Sequence, residues 1–289
     1  MLLVAGGQLD PNIGALLRRC LARKVEFRDL LVGPGLTPSL TITLDGGIAL
    51  NDEPLSPNAC FLRHDVFLAQ STNAPGDHRS ALNWYNAVRD WALTQDRVRI
   101  LNRRGRSADQ GKYVALARAR AAGLRIPDTV ITTLAEPGSG DERIRKPVAG
   151  GELTELLGED LGPWPYPYFT QPRLRRPEMR IYRIGDSLLA FELLSDDLDY
   201  RLHHRVKIRP TAVPPAVANG LITLCGELGL DFAAADFMLG DQDEWTFLEV
   251  NSQPMFAAFD ATLEGQLSDL LIDWLLVGQS EGAVERLGA

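Results

Sequence analysis

Two carboxylates and one amide stand out near the end of the chain because they sit in or directly after apolar, strand-like segments. Asp236 interrupts the apolar segment 232–239, while Glu249 and Asn251 end a second apolar segment that begins at Trp245. A buried charge is costly unless something pairs with it. If the two segments pair as a hairpin, these side chains meet and offer oxygen ligands of the kind that Mg²⁺ takes alongside substrate phosphates. The alternative is a hairpin whose carboxylates face solvent.

Two lysines occupy positions suited to phosphate binding. Lys112 lies in a predicted helix over residues 109–122, and Lys146 lies on a predicted strand that runs into Gly150 and Gly151. A lysine on a strand supplies a point charge, and the following glycine loop supplies backbone N–H groups. The lysine and glycine motif taken alone is equally compatible with an ordinary turn.

Composition excludes several classes of partner. The chain has 289 residues and a net charge of −8, which argues against nucleic acid or an anionic membrane as the main partner. No apolar run approaches the roughly 18–20 residues that a membrane helix needs. Cys20, Cys60 and Cys225 are far apart without CxxC spacing, so we expect buried, reduced thiols and a cytoplasmic location.

The remaining elements are predicted as a mixture of strands and helices. The segment 168–174 is predicted as a strand broken by Pro172, and a hairpin follows over residues 179–193 with Arg180 projecting from its first strand. The first third of the chain begins with a β-turn-α unit and is predicted to form a small α/β domain. A hairpin is predicted within it, over residues 40–50.

These motifs occur in an order that resembles the ATP-grasp ligases. In chain order they read ADQGKYVALARARAAGLRIPDT, RKPVAGG, FTQPRL, EMRIYRIGDSLLAFEL, DYR and EVN. The resemblance is to the RimK-like branch, which includes the graspetide (microviridin-type) peptide ligases that close lactone and lactam rings. It implies an ATP-grasp fold with α+β lobes that enclose the nucleotide. The implied domains are residues 1–100 (N-terminal α/β), 101–175 (central lobe) and 176–289 (C-terminal lobe with the metal site).

The resemblance also implies a role for each matching residue. The implied nucleotide contacts are two lysines on the phosphates, a linker whose backbone holds adenine, and a carboxylate on ribose: Lys112, Lys146, Gln171, Arg173, Leu174 and Glu178. The implied metal ligands are Asp236, Glu249 and Asn251. Two arginines, Arg180 and Arg201, match positions that face the acyl phosphate.

The implied activity is an ATP- and Mg²⁺-dependent ligation, with Mn²⁺ as an alternative metal. A carboxylate substrate is joined to an amine or hydroxyl acceptor through an acyl phosphate, and a peptide or amino-acid natural product is the expected substrate class. A precursor peptide is one expected partner, and a homodimer is left open. Two alternatives remain: a kinase of the same fold that phosphorylates a hydroxyl, and a nucleotide-binding protein without turnover. Met255, Phe256 and Phe259 are expected to be core rather than an acceptor pocket.

Overall fold

The computed structural model describes residues 1–67, 77–105, 111–134, 142–149, 154–157, 165–195, 206–240 and 242–277, with Asp77 and His78 described as backbone alone. Strands β1 to β8 are Leu2–Gly7, Phe27–Val32, Leu40–Ile42, Ile48–Leu50, Glu53–Leu55, Ala59–Leu62, Arg99–Ile100 and Val130–Thr132. Strands β9 to β16 are Arg143–Pro147, Glu155–Leu156, Tyr168–Pro172, Arg175–Ile184, Ser187–Leu194, Lys207–Thr211, Phe232–Leu239 and Trp245–Asn251. Helices α1 to α6 are Pro11–Ala22, Asp77–Thr94, Lys112–Ala121, Pro215–Glu227, Ala257–Ala261 and Gln266–Leu276.

The chain divides into two compact units. The first comprises Met1–Arg103 and Met255–Ala289, and the second comprises Arg104–Pro254. Every described residue of the predicted nucleotide and metal site belongs to the second unit. The three domain ranges inferred from the sequence remain predictions.

The first unit is built on a parallel sheet in the order β2-β1-β6-β7. This confirms the α/β architecture predicted for the first third of the chain. The predicted hairpin over residues 40–50 is also present, as the antiparallel pair β3 and β4, and β5 adds a third strand. Apolar side chains of β1 and α2, among them Leu3, Val88 and Trp91, form its core.

A buried polar cluster ties the segment after Pro254 into the first unit. The Arg63 guanidinium donates to the Asp10 carboxylate (Nε to Oδ2, 2.8 Å), and both side chains are almost fully buried. The side-chain oxygen of Asn12 accepts from the backbone N–H groups of Phe256 and Ala257 at 2.6 and 2.8 Å. These bonds satisfy N–H groups at the start of α5 that have no partner within the helix.

Two of the three residues predicted as core after the β15–β16 hairpin are buried, and the prediction is wrong for Met255. Phe256 is fully buried and Phe259 is 6% exposed, whereas Met255 is 40% exposed. The sequence predicts a last amphipathic helix over residues 263–277, and α6 at Gln266–Leu276 confirms it, while the short helix α5 precedes that range. Gly265, with φ of 92°, stands directly before α6 in a left-handed conformation that favours glycine.

The second unit contains two antiparallel sheets. One has four strands in the order β10-β9-β11-β8, and the other has five in the order β14-β13-β12-β15-β16. A single apolar cluster draws side chains from α3, α4 and both sheets, including Leu116, Phe169, Met179, Leu221 and Phe237. Burying this surface is the main favourable term that holds the strands bearing the polar residues in place.

Two predictions drawn from composition can be compared with the structure. Cys20, Cys60 and Cys225 are each buried with a free thiol, as expected, and burial raises the pKa of Cys20 to about 11. Within the ranges described above, no helix combines the length and apolarity needed to cross a membrane.

Candidate functional site

Three charged side chains form one row across the five-stranded sheet. Arg180 on β12 lies directly opposite Asp236 on β15, and Asp236 lies directly opposite Glu249 on β16. Side chains of directly opposed residues in antiparallel strands project from the same face. The neighbours of Asp236 along β15, Ala235 and Phe237, project from the other face into the apolar core. The sheet therefore has one apolar face and one face that carries this charged row.

A β-bulge brings Glu249 onto the polar face. Phe237 pairs with Phe247, but the next pair along the ladder is Asp236 with Glu249, so Leu248 is an extra residue on β16. Simple alternation would have put Glu249 on the same face as the buried Phe247. The extra residue turns the glutamate to the opposite face, which is a common function of bulges beside active sites.

Arg180 and Asp236 form a forked ion pair. The guanidinium Nε and Nη2 donate to the two carboxylate oxygens of Asp236 at 2.7 and 2.8 Å. Asp236 is 5% exposed, so its charge lies in a region where water contributes little. Burial raises the pKa of this carboxyl, while the charge and hydrogen bonds of Arg180 act in the opposite direction.

Glu249 and Asn251 lie two residues apart on β16 and are in contact. The Asn251 Nδ2 donates to Oε1 of Glu249 at 3.3 Å, and Lys112 Nζ lies 3.9 Å from Oε2 of Glu249. The Glu249 side chain is 37% exposed, far more than Asp236. Lys112 is the first residue of α3, so the helix places this lysine beside the β15–β16 hairpin.

The donor set fits a magnesium ion that also binds phosphates. In the ranges that the structure describes, no three His, Cys, Asp or Glu side chains cluster as a self-sufficient metal site. Asp236, Glu249 and Asn251 instead offer two carboxylates and one amide oxygen within one pair of strands. Mg²⁺ commonly uses one or two protein carboxylates and completes its octahedron with substrate phosphates and water.

Lys146 adds a second cation from the four-stranded sheet. It lies on β9 directly opposite Phe169 of β11. Gln171, two residues further along β11, projects from the same face as Phe169. Burial lowers the pKa of Lys146, and the charge of Glu249 is the largest influence that opposes this effect. The charges of Glu178 and Asp236 also favour the ammonium form, whereas that of Lys112 disfavours it.

The predicted adenine linker lies between β11 and β12. Gln171 is 4% exposed, and its Nε2 donates to the hydroxyl of Thr129 at 2.9 Å. The Arg173 backbone N–H donates to the carbonyl of Glu142 at 2.8 Å, and its guanidinium binds the carboxylate of the same residue at 2.6 Å. Leu174 is half-buried between the two strands. The side chains of Gln171 and Arg173 are thus engaged within the protein.

Glu178 is a largely but not fully buried carboxyl, 13% exposed, with an altered pKa. It lies on β12 two residues before Arg180, and Arg176 Nη1 is 3.7 Å from its Oε2. Burial is the main cause that raises the pKa of Glu178 to about 7, and the Asp236 charge adds to it, while Arg180, Arg176 and Lys146 act against it. This carboxyl therefore titrates near neutral pH in the folded protein.

We expect Glu178 to make stability depend on pH in metal-free buffer. Between pH 4.5 and about 7 the folded protein retains a proton on Glu178 that the unfolded chain has released. The free energy of unfolding should therefore fall as pH rises through this range. Glu178→Gln should reduce the fall, measured by urea unfolding with EDTA, whereas the exposed control Glu227→Gln should retain it. An equal fall in Glu178→Gln and in the parent would contradict the assignment.

Comparison with known proteins rests on structure, because no protein-family model and no curated protein matches the sequence. The ligase PsnB, in a complex with minimal precursor, Mg and ADP, matches with a TM-score of 0.74 at 22% identity over 95% of this chain and 98% of PsnB. A RiPP-associated ATP-grasp ligase from Chryseobacterium gregarium, with ADP and a leader and core peptide, matches with a TM-score of 0.73 at 19% identity, covering 95% of this chain and 96% of that one. The macrocyclase MdnC from Microcystis aeruginosa MRC, bound to precursor peptide MdnA, matches with a TM-score of 0.69 at 16% identity, covering 94% and 99%.

The chain has the ATP-grasp fold. The fold inferred from the ordered motifs is thereby confirmed, and the likeness spans nearly the whole length of each of these structures. Membership of the RimK-like branch stays a prediction.

Within this ATP-grasp fold, most of the predicted site residues come together. The charged row, Asn251 and Lys112 are joined by direct contacts, and Lys146 and Glu178 are electrostatically coupled to the row. Gln171 lies on β11, Arg173 and Leu174 lie between β11 and β12, and their contact with adenine stays a prediction. Arg201 and the pair Gly150–Gly151 lie outside the described residues.

Arg176 was not singled out from the sequence as a site residue. The structure places it on β12, half-buried beside Glu178. The two-residue spacing of Arg176, Glu178 and Arg180 was not a usable signal, because the register of β12 shifts between Arg175 and Glu178. The predicted hairpin strand began at residue 179, whereas β12 begins at Arg175, so Arg176 lay outside the predicted strand.

Proposed function

We propose that the protein is an ATP- and Mg²⁺-dependent ligase that joins a carboxylate to an amine or hydroxyl through an acyl phosphate. The observation that carries the proposal is the row Arg180–Asp236–Glu249 with Lys112 beside it. It combines oxygen ligands for a hard cation with cations for a phosphate and a carboxylate, on a fold shared with ligases. The precursor peptides bound to PsnB and MdnC support a peptide substrate.

The proposed chemistry has two steps. A carboxylate oxygen of the substrate attacks the γ-phosphorus of ATP, the bond from that phosphorus to the bridging oxygen breaks, and ADP leaves. The nitrogen or oxygen of the acceptor then attacks the acyl carbon, loses a proton, and expels inorganic phosphate. Two anions must approach each other in the first step, so catalysis depends on fixed positive charge around both.

In this proposal the cationic side chains bind phosphate and carboxylate groups, and the oxygen ligands hold the metal. Lys112 and Lys146 bind the ATP phosphates, and the backbone near Gln171, Arg173 and Leu174 holds adenine. Glu178 lies toward the ribose. Asp236, Glu249 and Asn251 would hold Mg²⁺, which when bound neutralises phosphate charge. Arg180, and Arg201 from the sequence resemblance, hold the substrate carboxylate and then the acyl phosphate, for which a planar guanidinium is well suited.

We expect the two lysines to act mainly on nucleotide affinity. Lys146→Ala should weaken Mg²⁺-ATP binding by about 10- to 100-fold, because a charge-assisted contact to phosphate is lost in a partly buried site. Lys112→Ala should have the same effect to a smaller extent. Calorimetric titration without an acid substrate measures both, and Lys207→Ala, at an exposed lysine on β14, is the control. Unchanged affinity in both variants would reduce the RKPVAGG segment to a structural turn.

The function is tested by supplying Mg²⁺-ATP with peptides that contain Asp or Glu together with Lys, Ser or Thr. A ligase releases ADP and phosphate only when acid and acceptor are both present, and mass spectrometry shows a product that has lost one water. A peptide that instead gains a phosphate on a hydroxyl would favour the kinase alternative.

A further inference from the structure

Within the charged row, Arg180 binds the same carboxylate, that of Asp236, that is predicted to bind the metal. Both oxygens of Asp236 accept hydrogen bonds from Arg180, at 2.7 and 2.8 Å. The two residues are directly opposed on neighbouring strands, so the backbone ladder itself fixes the pairing. A buried carboxylate needs such a partner, since removal of one member of a buried pair leaves an uncompensated charge. In the metal-free protein, Arg180 therefore supplies the counter-charge of Asp236.

Glu249 is more exposed than Asp236 and lies farther from its nearest cation. Its side chain is 37% exposed, and the cation that approaches it most closely in the described structure is Lys112, at 3.9 Å. Solvent screens the charge of an exposed carboxylate and reduces the attraction of a partner at that distance. The two predicted metal-binding carboxylates thus differ in kind, because Asp236 is strongly compensated by a guanidinium and Glu249 is weakly compensated.

We propose that Arg180 and the divalent cation are antagonists at Asp236, so that Arg180 limits metal affinity in addition to its role toward the acid substrate. The inference rests on the proposed function, because it assumes that Asp236 is a metal ligand. Each carboxylate oxygen has further acceptor capacity, so the metal and Arg180 share Asp236 rather than exclude each other. By donating to both of its oxygens, the guanidinium offsets the negative charge of Asp236 and so makes it a weaker ligand for the cation.

The antagonism predicts that metal affinity rises when Arg180 is removed, which an arginine with a catalytic role alone would not cause. Removal of Arg180 should lower product formation and at the same time tighten metal binding. Removal of the Asp236 charge should weaken metal binding. When Asp236 is already neutral, the further loss of Arg180 should have little effect on the metal, because the two act through the same carboxylate.

The experiment measures Mn²⁺ binding in the presence of ADP, by the loss of the free Mn²⁺ electron-paramagnetic-resonance signal. Relative to the parent, Arg180→Gln should bind Mn²⁺ at least about fivefold tighter, in the range of ordinary coupling between two sites. Asp236→Asn should bind it more weakly, and the double variant should resemble Asp236→Asn. Arg183→Gln, a change on the same strand at an arginine that binds backbone carbonyls, should leave affinity unchanged.

Two further measurements keep the outcome clear if Arg180→Gln folds poorly. Arg180→Lys retains the charge and should not tighten Mn²⁺ binding as Arg180→Gln does. In thermal unfolding, Mn²⁺ with ADP should raise the Tm of Arg180→Gln by more than that of the parent.

Unchanged or weaker Mn²⁺ binding in a folded Arg180→Gln would overturn the inference alone. Failure of the parent to bind Mn²⁺ with ADP would overturn the metal assignment of the proposed function, and this inference with it.

Discussion

Glu249→Gln is expected to abolish ADP formation while leaving the fold intact. The substitution preserves the shape of the side chain and removes the more exposed of the two carboxylates in the metal set. Loss of charge stabilisation at a phosphoryl-transfer site typically costs on the order of 100- to 1000-fold in turnover. A coupled assay for ADP measures the loss, and circular dichroism with thermal unfolding checks that the protein remains folded.

Two comparisons make this prediction specific. Glu227→Gln is the same change at an exposed residue of α4 and should retain parental turnover. Titration with Mg²⁺ should show that Glu249→Gln requires more metal for any residual activity. Parental turnover in Glu249→Gln would show that the hairpin carboxylates do not hold the metal, and the site would have to be sought elsewhere.

Arg180→Lys is expected to separate nucleotide binding from product formation. Lysine retains the positive charge that Asp236 needs, so the folded state should survive the change. It lacks the planar fork through which arginine binds a carboxylate or phosphate at two points. We expect turnover to fall by about 100-fold or more while ATP affinity changes little, which is the pattern of an interaction made mainly in the transition state.

The measurements are turnover with an accepted peptide and calorimetric titration with Mg²⁺-ATP. Arg209→Lys serves as the control, because Arg209 is an exposed residue of β14 that pairs with Glu192. Equal losses in ATP affinity and in turnover would assign Arg180 to the nucleotide instead. Full turnover in Arg180→Lys would show that the fork is not needed for acid activation.

The sequence indicated which residues form the polar face of the site. It did not indicate the strand irregularity that brings Glu249 onto that face. Asp236 stood out because it interrupts an apolar strand, and its alternation with Ala235 and Phe237 correctly indicates opposite faces. The bulge at Leu248 could not be foreseen, because nothing in the composition of residues 245–251 marks an extra residue. Without it, Glu249 would share the face of Phe247.

Partners distant in sequence were the other difficulty. The bond between Gln171 and Thr129 joins β11 to the residue that precedes β8, its neighbour in the four-stranded sheet, and only the strand order reveals it. The strand β10 could not be predicted, since its two residues carry too little pattern to indicate a strand. The ordered motifs still identified the fold, because they depend on several segments together rather than on any one element.

The most direct test of the central claim is to trap the activated acid. The protein is incubated with Mg²⁺-ATP, a peptide that contains Asp or Glu, and hydroxylamine, which attacks an acyl phosphate to give a hydroxamate. The account predicts hydroxamate and ADP in equal amounts from the parent, and neither from Glu249→Gln. ADP release accompanied by a phosphate ester on a hydroxyl, with no hydroxamate, would contradict the ligase assignment.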